Sequence, residues 1–146
     1  MEMQRFLHSA VVPTQWGAHV SSEILPPIPD QTSLAVGAMY EENPYPRWLH
    51  APAQQPVAVS AYLGALFPHF TPPGIGESPD SLIAGCGTGQ QVIHTARTNP
   101  GATITAIDLS KASLAYAVRM ARKLGVDTVR FAQADILGLE NLGQTF

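Results

Sequence analysis

Gly85-Cys86-Gly87-Thr88-Gly89 sets glycines at alternate positions directly after the apolar run Leu82-Ile83-Ala84. A strand ending in such a turn lets backbone come close to a ligand, because no Cβ blocks the approach. The helix that follows then opens with its free N–H groups on the same side. About twenty residues further on, the apolar alternation Ala102-Thr103-Ile104-Thr105-Ala106-Ile107 ends at Asp108, a spacing that brings a carboxylate beside the glycine turn. A carboxylate there accepts hydrogen bonds, and a ribose diol supplies two donors. A second acid, Asp135, follows a third apolar run. Turn and acids together outline half of a nucleoside-binding site.

These residues need a scaffold, and the pattern from Ser78-Pro79-Asp80 onward supplies one. Strands are expected at Ser81–Ala84, Ala102–Ile107 and Val129–Gln133, separated by helices from about Gly89 to Thr98 and from Ser110 to about Leu124. Asn99-Pro100-Gly101 ends the first helix by turn chemistry. Ser110 is a good N-cap for the second. Its buried stripe is Leu114, Val118, Ala121 and Leu124. Gly125 fits a left-handed C-terminal position, and Arg119, Arg122 and Lys123 complement the negative helix end. Strand–helix–strand–helix–strand implies a parallel sheet with right-handed crossovers.

Twelve of the 13 prolines precede Asp80, so the chain divides into a lead-in, 1–78, and a regular α/β part, 79–146. Leu25-Pro26-Pro27-Ile28-Pro29-Asp30 and Thr71-Pro72-Pro73-Gly74-Ile75-Gly76 read as extended loops. Pro56 reads as the first residue of a helix to about Phe67, with Val57, Ala61, Leu63, Leu66 and Phe67 as its apolar contacts. Leu34-Ala35-Val36-Gly37-Ala38-Met39-Tyr40 reads as a conceivable strand ahead of Asn43-Pro44-Tyr45. Tyr45 and Trp48 are expected to pack as a clamp over the core or over a ligand.

In order, these segments resemble the class I S-adenosylmethionine-dependent methyltransferases. Gly85-Cys86-Gly87-Thr88-Gly89 is similar to the family's glycine motif, Asp108 to the acid ending its second strand, and Ala134-Asp135 to the residues after its third. The lead-in Asn43-Pro44-Tyr45-Pro46-Arg47-Trp48 is similar to that of some bacterial methyltransferases joined to tetratricopeptide repeats. The resemblance implies an α/β fold: a Rossmann-like three-layer domain, its parallel sheet truncated after the third strand, with a Pro-rich, partly helical N-terminal segment. It implies S-adenosyl-L-methionine as cofactor. Gly85 and Gly87 would pass near the methionine part, Asp108 would hold the ribose hydroxyls and Asp135 the adenine amine. Cys86, Thr88, Gly89, Leu109, Ala134 and Tyr45 complete the expected contacts. One residue departs from the pattern: Ile83 stands where the family often carries an acid that organises the ammonium group.

The implied activity is methyl transfer to an unidentified acceptor, with no catalytic base assignable. Two other readings compete: a non-catalytic nucleoside-binding or assembly module, and an NAD-dependent oxidoreductase. Against NAD, Gln90 occupies the place where that fingerprint wants a small third glycine. Cys86, the only cysteine, reads as loop packing, since nothing near it in sequence activates a thiol. The histidines His8, His19, His50, His69 and His94 show no paired metal spacing, and Glu41-Glu42 reads as a solvated acidic pair.

A net charge of -3 without any polybasic run argues against a dedicated nucleic-acid binder. No apolar stretch reaches the length of a membrane span, and Met1-Glu2-Met3-Gln4-Arg5 lacks a secretory signal's pattern. A cytoplasmic location is the expectation. The family's fourth strand lies beside its first, so here Leu82-Ile83-Ala84 should be a sheet edge open to pairing, including with another copy of the chain.

Overall fold

The computed structural model describes residues 30–53, 55–69, 78–142 and 145–146. The expected extended loops over 25–29 and 71–76, the N-terminal residues 1–5, His8 and His19 lie outside them.

The three strands are β1 (Asp80–Ala84), β2 (Thr103–Asp108) and β3 (Val129–Gln133). They pair in parallel in the order β1-β2-β3, with Ala84 opposite Ile107 and Asp108 opposite Gln133. Parallel strands read as apolar runs because both faces are covered. β2, at the centre, accordingly buries Ile104, Ala106 and Ile107 completely. Ile104, Ala106, Val129 and Phe131 meet Val92, Ile93, Leu114 and Val118 of the crossover helices, with Ile83 packed alongside. Ile107, Ala132 and Ala134 form a second, smaller cluster with Leu82, Ala84 and Leu139.

The helices are α1 (Gln31–Glu42), α2 (Val59–Leu66), α3 (Gln90–Thr98) and α4 (Lys111–Lys123), and a 3-10 segment covers Ile136–Leu142. Ser110 caps α4, its Oγ accepting from Ser113 N. α4 ends as its sequence requires. Gly125 adopts φ 66°, Gly125 N donates to Arg122 O and Val126 N to Ala121 O, which together make a Schellman motif.

The lead-in departs from expectation in two places. Leu34–Tyr40 is helical, as part of α1, because Asp30 caps the segment by accepting from Ser33 N at 2.9 Å. Only Val36 in that stretch is β-branched, so helix propensity also favours this outcome. Pro56 does not start α2, which is capped by Ala58. Val57 N instead donates to Thr98 O at 2.8 Å, holding Pro56-Val57 extended against the end of α3. Among the residues of α2 none is fully buried, and Leu66 and Phe67 are more than half exposed.

Candidate nucleoside site

The site lies at the C-terminal end of the sheet, where β1 and β3 flank the head of β2. The ladder runs on past the strands: Cys86 N donates to Ile107 O and Ala134 N to Asp108 O. Asp108 thus stands between the glycine turn and the loop after β3. Its carboxylate is largely buried and each oxygen has a partner. Oδ2 accepts from Gly87 N at 2.7 Å and Oδ1 from Ser110 N at 2.9 Å. A carboxylate offers about four acceptor positions, so one position per oxygen is left for a hydroxyl.

The three glycines of the turn have three different physical causes. All have positive φ: Gly85 at 73°, Gly87 at 53° and Gly89 at 82°. A Cβ on Gly89 would fall 2.6 Å from Ala117 Cβ, so this glycine lets α4 pack against the turn. On Gly87 it would fall 2.7 Å from Tyr45 O, so this glycine makes room for the lead-in. On Gly85 it would meet nothing within 4 Å. Of the three, Gly85 alone has open space where its Cβ would stand.

The lead-in is built into the turn. Thr88 Oγ1 donates to Pro46 O. Trp48 Nε1 donates to Thr88 O at 3.1 Å, and Tyr116 Oη donates to Trp48 O. Trp48 is buried, edge-on to Tyr116 with ring centroids 6.1 Å apart. Trp48 therefore packs on the core, whereas Tyr45 is 68% exposed and its backbone carbonyl reaches the turn. The fully buried Thr88 spends its hydroxyl on the lead-in. These bonds join residues 40 to 68 positions apart in the chain, and no local pattern announces them.

Cys86 is a buried packing residue: its thiol faces Gly87 O at 3.7 Å. Burial first, and the nearby Asp108 charge second, push its ionisation far above the ordinary thiol value. Asp135, also buried, accepts from Leu137 N at 3.0 Å and so starts the 3-10 segment. Ala134 is buried beside it. Leu109 is half-buried; Gln133 Nε2 donates to its carbonyl at 2.8 Å, and a Cβ on Gly37 would lie 3.6 Å from Leu109 Cβ. Sequence reading missed Glu41, which is no free acid. Its Oε2 accepts from Ser110 Oγ at 3.0 Å and from Ala112 N at 3.1 Å. Under α1, a cavity of about 210 Å³ is lined by Ser33, Gly37, Glu41, Leu109, Lys111 and Gln133.

Among the described residues no group of His, Cys, Asp and Glu is placed to hold a metal ion. No helix among them is long and apolar enough to cross a membrane.

Comparison with known proteins bears on the fold. A family described as a methyltransferase domain matches residues 82–146. An uncharacterised protein of Synechococcus sp. is 34% identical over 134 residues, covering 82% of this chain and 29% of that one. A tRNA (guanine-N(7)-)-methyltransferase of Rubrobacter xylanophilus is 37% identical over 59 residues, covering 40% of this chain and 26% of that one. The chain thus spans less than a third of the length of the curated relatives it matches. A solved geranyl diphosphate C-methyltransferase of Streptomyces coelicolor A3(2), in complex with Mg2+, geranyl diphosphate and S-adenosyl-L-homocysteine, superposes with a TM-score of 0.52. It is 19% identical, over 77% of this chain and 50% of that chain. The chain has a class I S-adenosylmethionine methyltransferase-like Rossmann fold.

Proposed function

We propose that the chain binds S-adenosyl-L-methionine and belongs to a methyltransferase whose acceptor is still to be identified. One observation carries this reading: a buried carboxylate at the head of the central strand, tied to the glycine turn by Gly87 N, with one acceptor position per oxygen to spare. Two further features support it. The turn is open at Gly85, and the matched methyltransferase-domain family begins at residue 82.

In this reading Asp108 accepts from the two ribose hydroxyls and Asp135 from the adenine amine. Leu109 offers an apolar side chain to the adenine face. Gly85 gives passage to the methionine end. Ile83 packs in the core, so the ammonium group is received by carbonyl oxygens of the turn rather than by an acid. Bound here, the cofactor supplies a sulfonium methyl already activated for in-line attack, so this chain's contribution is to bind and orient. No catalytic base is assigned. Residues 79–146 form the binding half-domain and 1–78 the lead-in, from which Glu41, Pro46 and Trp48 brace it. The similarity of Asn43–Trp48 to proteins carrying tetratricopeptide repeats makes such a repeat region a candidate neighbour in the whole protein. The Leu82–Ala84 edge is the surface through which a further strand or a second copy would extend the sheet.

Calorimetric titration with S-adenosylhomocysteine, and with NAD as the competing ligand, tests the proposal. Asp108→Ala should weaken S-adenosylhomocysteine binding by about 1–3 kcal/mol. Preferential binding of NAD, or an affinity for S-adenosylhomocysteine indifferent to Asp108, would remove the reading.

A further inference from the structure

Two carboxylates converge on the start of α4. Asp108 Oδ1 takes Ser110 N, while Glu41 Oε2 takes Ser110 Oγ and Ala112 N. Ser110 Oγ also lies 3.1 Å from Tyr40 O, so its single proton serves either Tyr40 or Glu41 while the same oxygen accepts from Ser113 N. Ser110 is fully buried between the two acids. A carboxylate at a helix N-terminus is favoured by the unsatisfied N–H groups there. Glu41 comes from a different helix, α1, of which Ser33 is the single buried residue while Leu34 and Met39 are more than half exposed.

The geometry points to Glu41 as a positioning residue for the ribose-binding carboxylate. It fixes the Ser110 turn through Ser110 Oγ and Ala112 N, and Ser110 N in turn fixes Asp108 Oδ1 in the orientation that leaves its spare acceptor positions for the ribose. This inference rests on the proposed nucleoside reading of the site. It adds to that reading a residue from the lead-in, so the tract Tyr40–Trp48 grips both halves of the site: Ser110 and Ala112 through Glu41, and the glycine turn through Pro46 and Trp48.

The test compares S-adenosylhomocysteine with its 2′,3′-dideoxy analogue, which lacks the hydroxyls Asp108 would hold. Both are titrated against the full chain, Glu41→Ala and Glu41→Gln. Alanine is the best helix former, so α1 persists in the first variant, and thermal melting checks it. Glutamine keeps an acceptor oxygen for Ser110 and Ala112. Glu41→Ala is expected to raise the dissociation constant for S-adenosylhomocysteine roughly threefold to tenfold, with no change for the dideoxy analogue. Glu41→Gln should restore most of the loss. Equal losses on both ligands would make Glu41 merely structural and overturn the inference, as would unchanged affinity in Glu41→Ala. Asp108→Ala separates the two levels. If it weakens binding while Glu41→Ala does not, the inference fails alone. If the unaltered chain binds neither ligand, the nucleoside reading fails and takes the inference with it.

Discussion

Alanine placed in turn at Gly85, Gly87 and Gly89 should separate stability from ligand binding. All three positions have positive φ, so each alanine incurs the left-handed penalty of about 1–2 kcal/mol. At Gly85 nothing further is met. At Gly89 the new Cβ would stand 2.6 Å from Ala117 Cβ and 3.1 Å from Ala117 Cα. Helix α4 cannot yield there cheaply, and overpacking of this kind adds about 1–3 kcal/mol. Gly87→Ala meets the Tyr45 carbonyl at 2.7 Å, a neighbour in a loop, and should fall between the two. Urea unfolding gives the stabilities and calorimetry with S-adenosylhomocysteine gives the affinities. Gly85→Ala should lose least stability and most affinity; Gly89→Ala should lose most stability. Ala117→Gly alone costs about 1 kcal/mol in a helix interior, yet combined with Gly89→Ala it should return the share due to Ala117 Cβ, the larger part of a clash worth about 1–3 kcal/mol. Equal destabilisation at all three glycines, or no coupling between positions 89 and 117, would refute this assignment of causes.

Trp48→Phe keeps an aromatic ring in the core but removes the bond from Nε1 to Thr88 O. It should cost about 1–3 kcal/mol in urea unfolding, since Thr88 O loses its buried donor; a loss below a few tenths would mean that the indole donor does not brace the turn. Cys86 gives a pH signature. Its thiol ionises far higher in the fold than its ordinary value of 9.0, so above pH 9 the unfolded chain releases this proton first. Stability should then fall with rising pH by up to about 1.4 kcal/mol per unit relative to Cys86→Ala. Parallel stability curves for the two proteins above pH 9 would contradict that burial.

The second half of the chain was legible because each element carries its own local signal. The alternation before Asp108, Ser110 as a cap and Gly125 as a helix stop each fix a boundary to within about two residues. Even the positive φ of the turn follows from residue type. The lead-in was harder because its structure is decided by distant partners. Nothing near Val57 announces that its N–H goes to Thr98 O, and this bond delays the start of α2. The strand reading of Leu34–Tyr40 gave weight to the neighbouring Asn-Pro-Tyr, although Asp30 ahead of Gln31 was the available helix signal. In the site, Asp108 and Asp135 were legible as acids at strand ends. The turns they also close span only two residues each, a local habit of aspartate, whereas the grip of Glu41 and Trp48 depends on partners 40 to 71 residues away.

The most direct measurement is an amide 1H–15N chemical-shift map of the chain titrated with S-adenosylhomocysteine. The largest changes should fall on Gly85, on Asp108 through Ser110, and on Asp135 through Leu137, at the C-terminal end of the sheet. A spectrum that does not change, or changes gathered around Asp80 and Thr103 at the opposite end, would contradict the account.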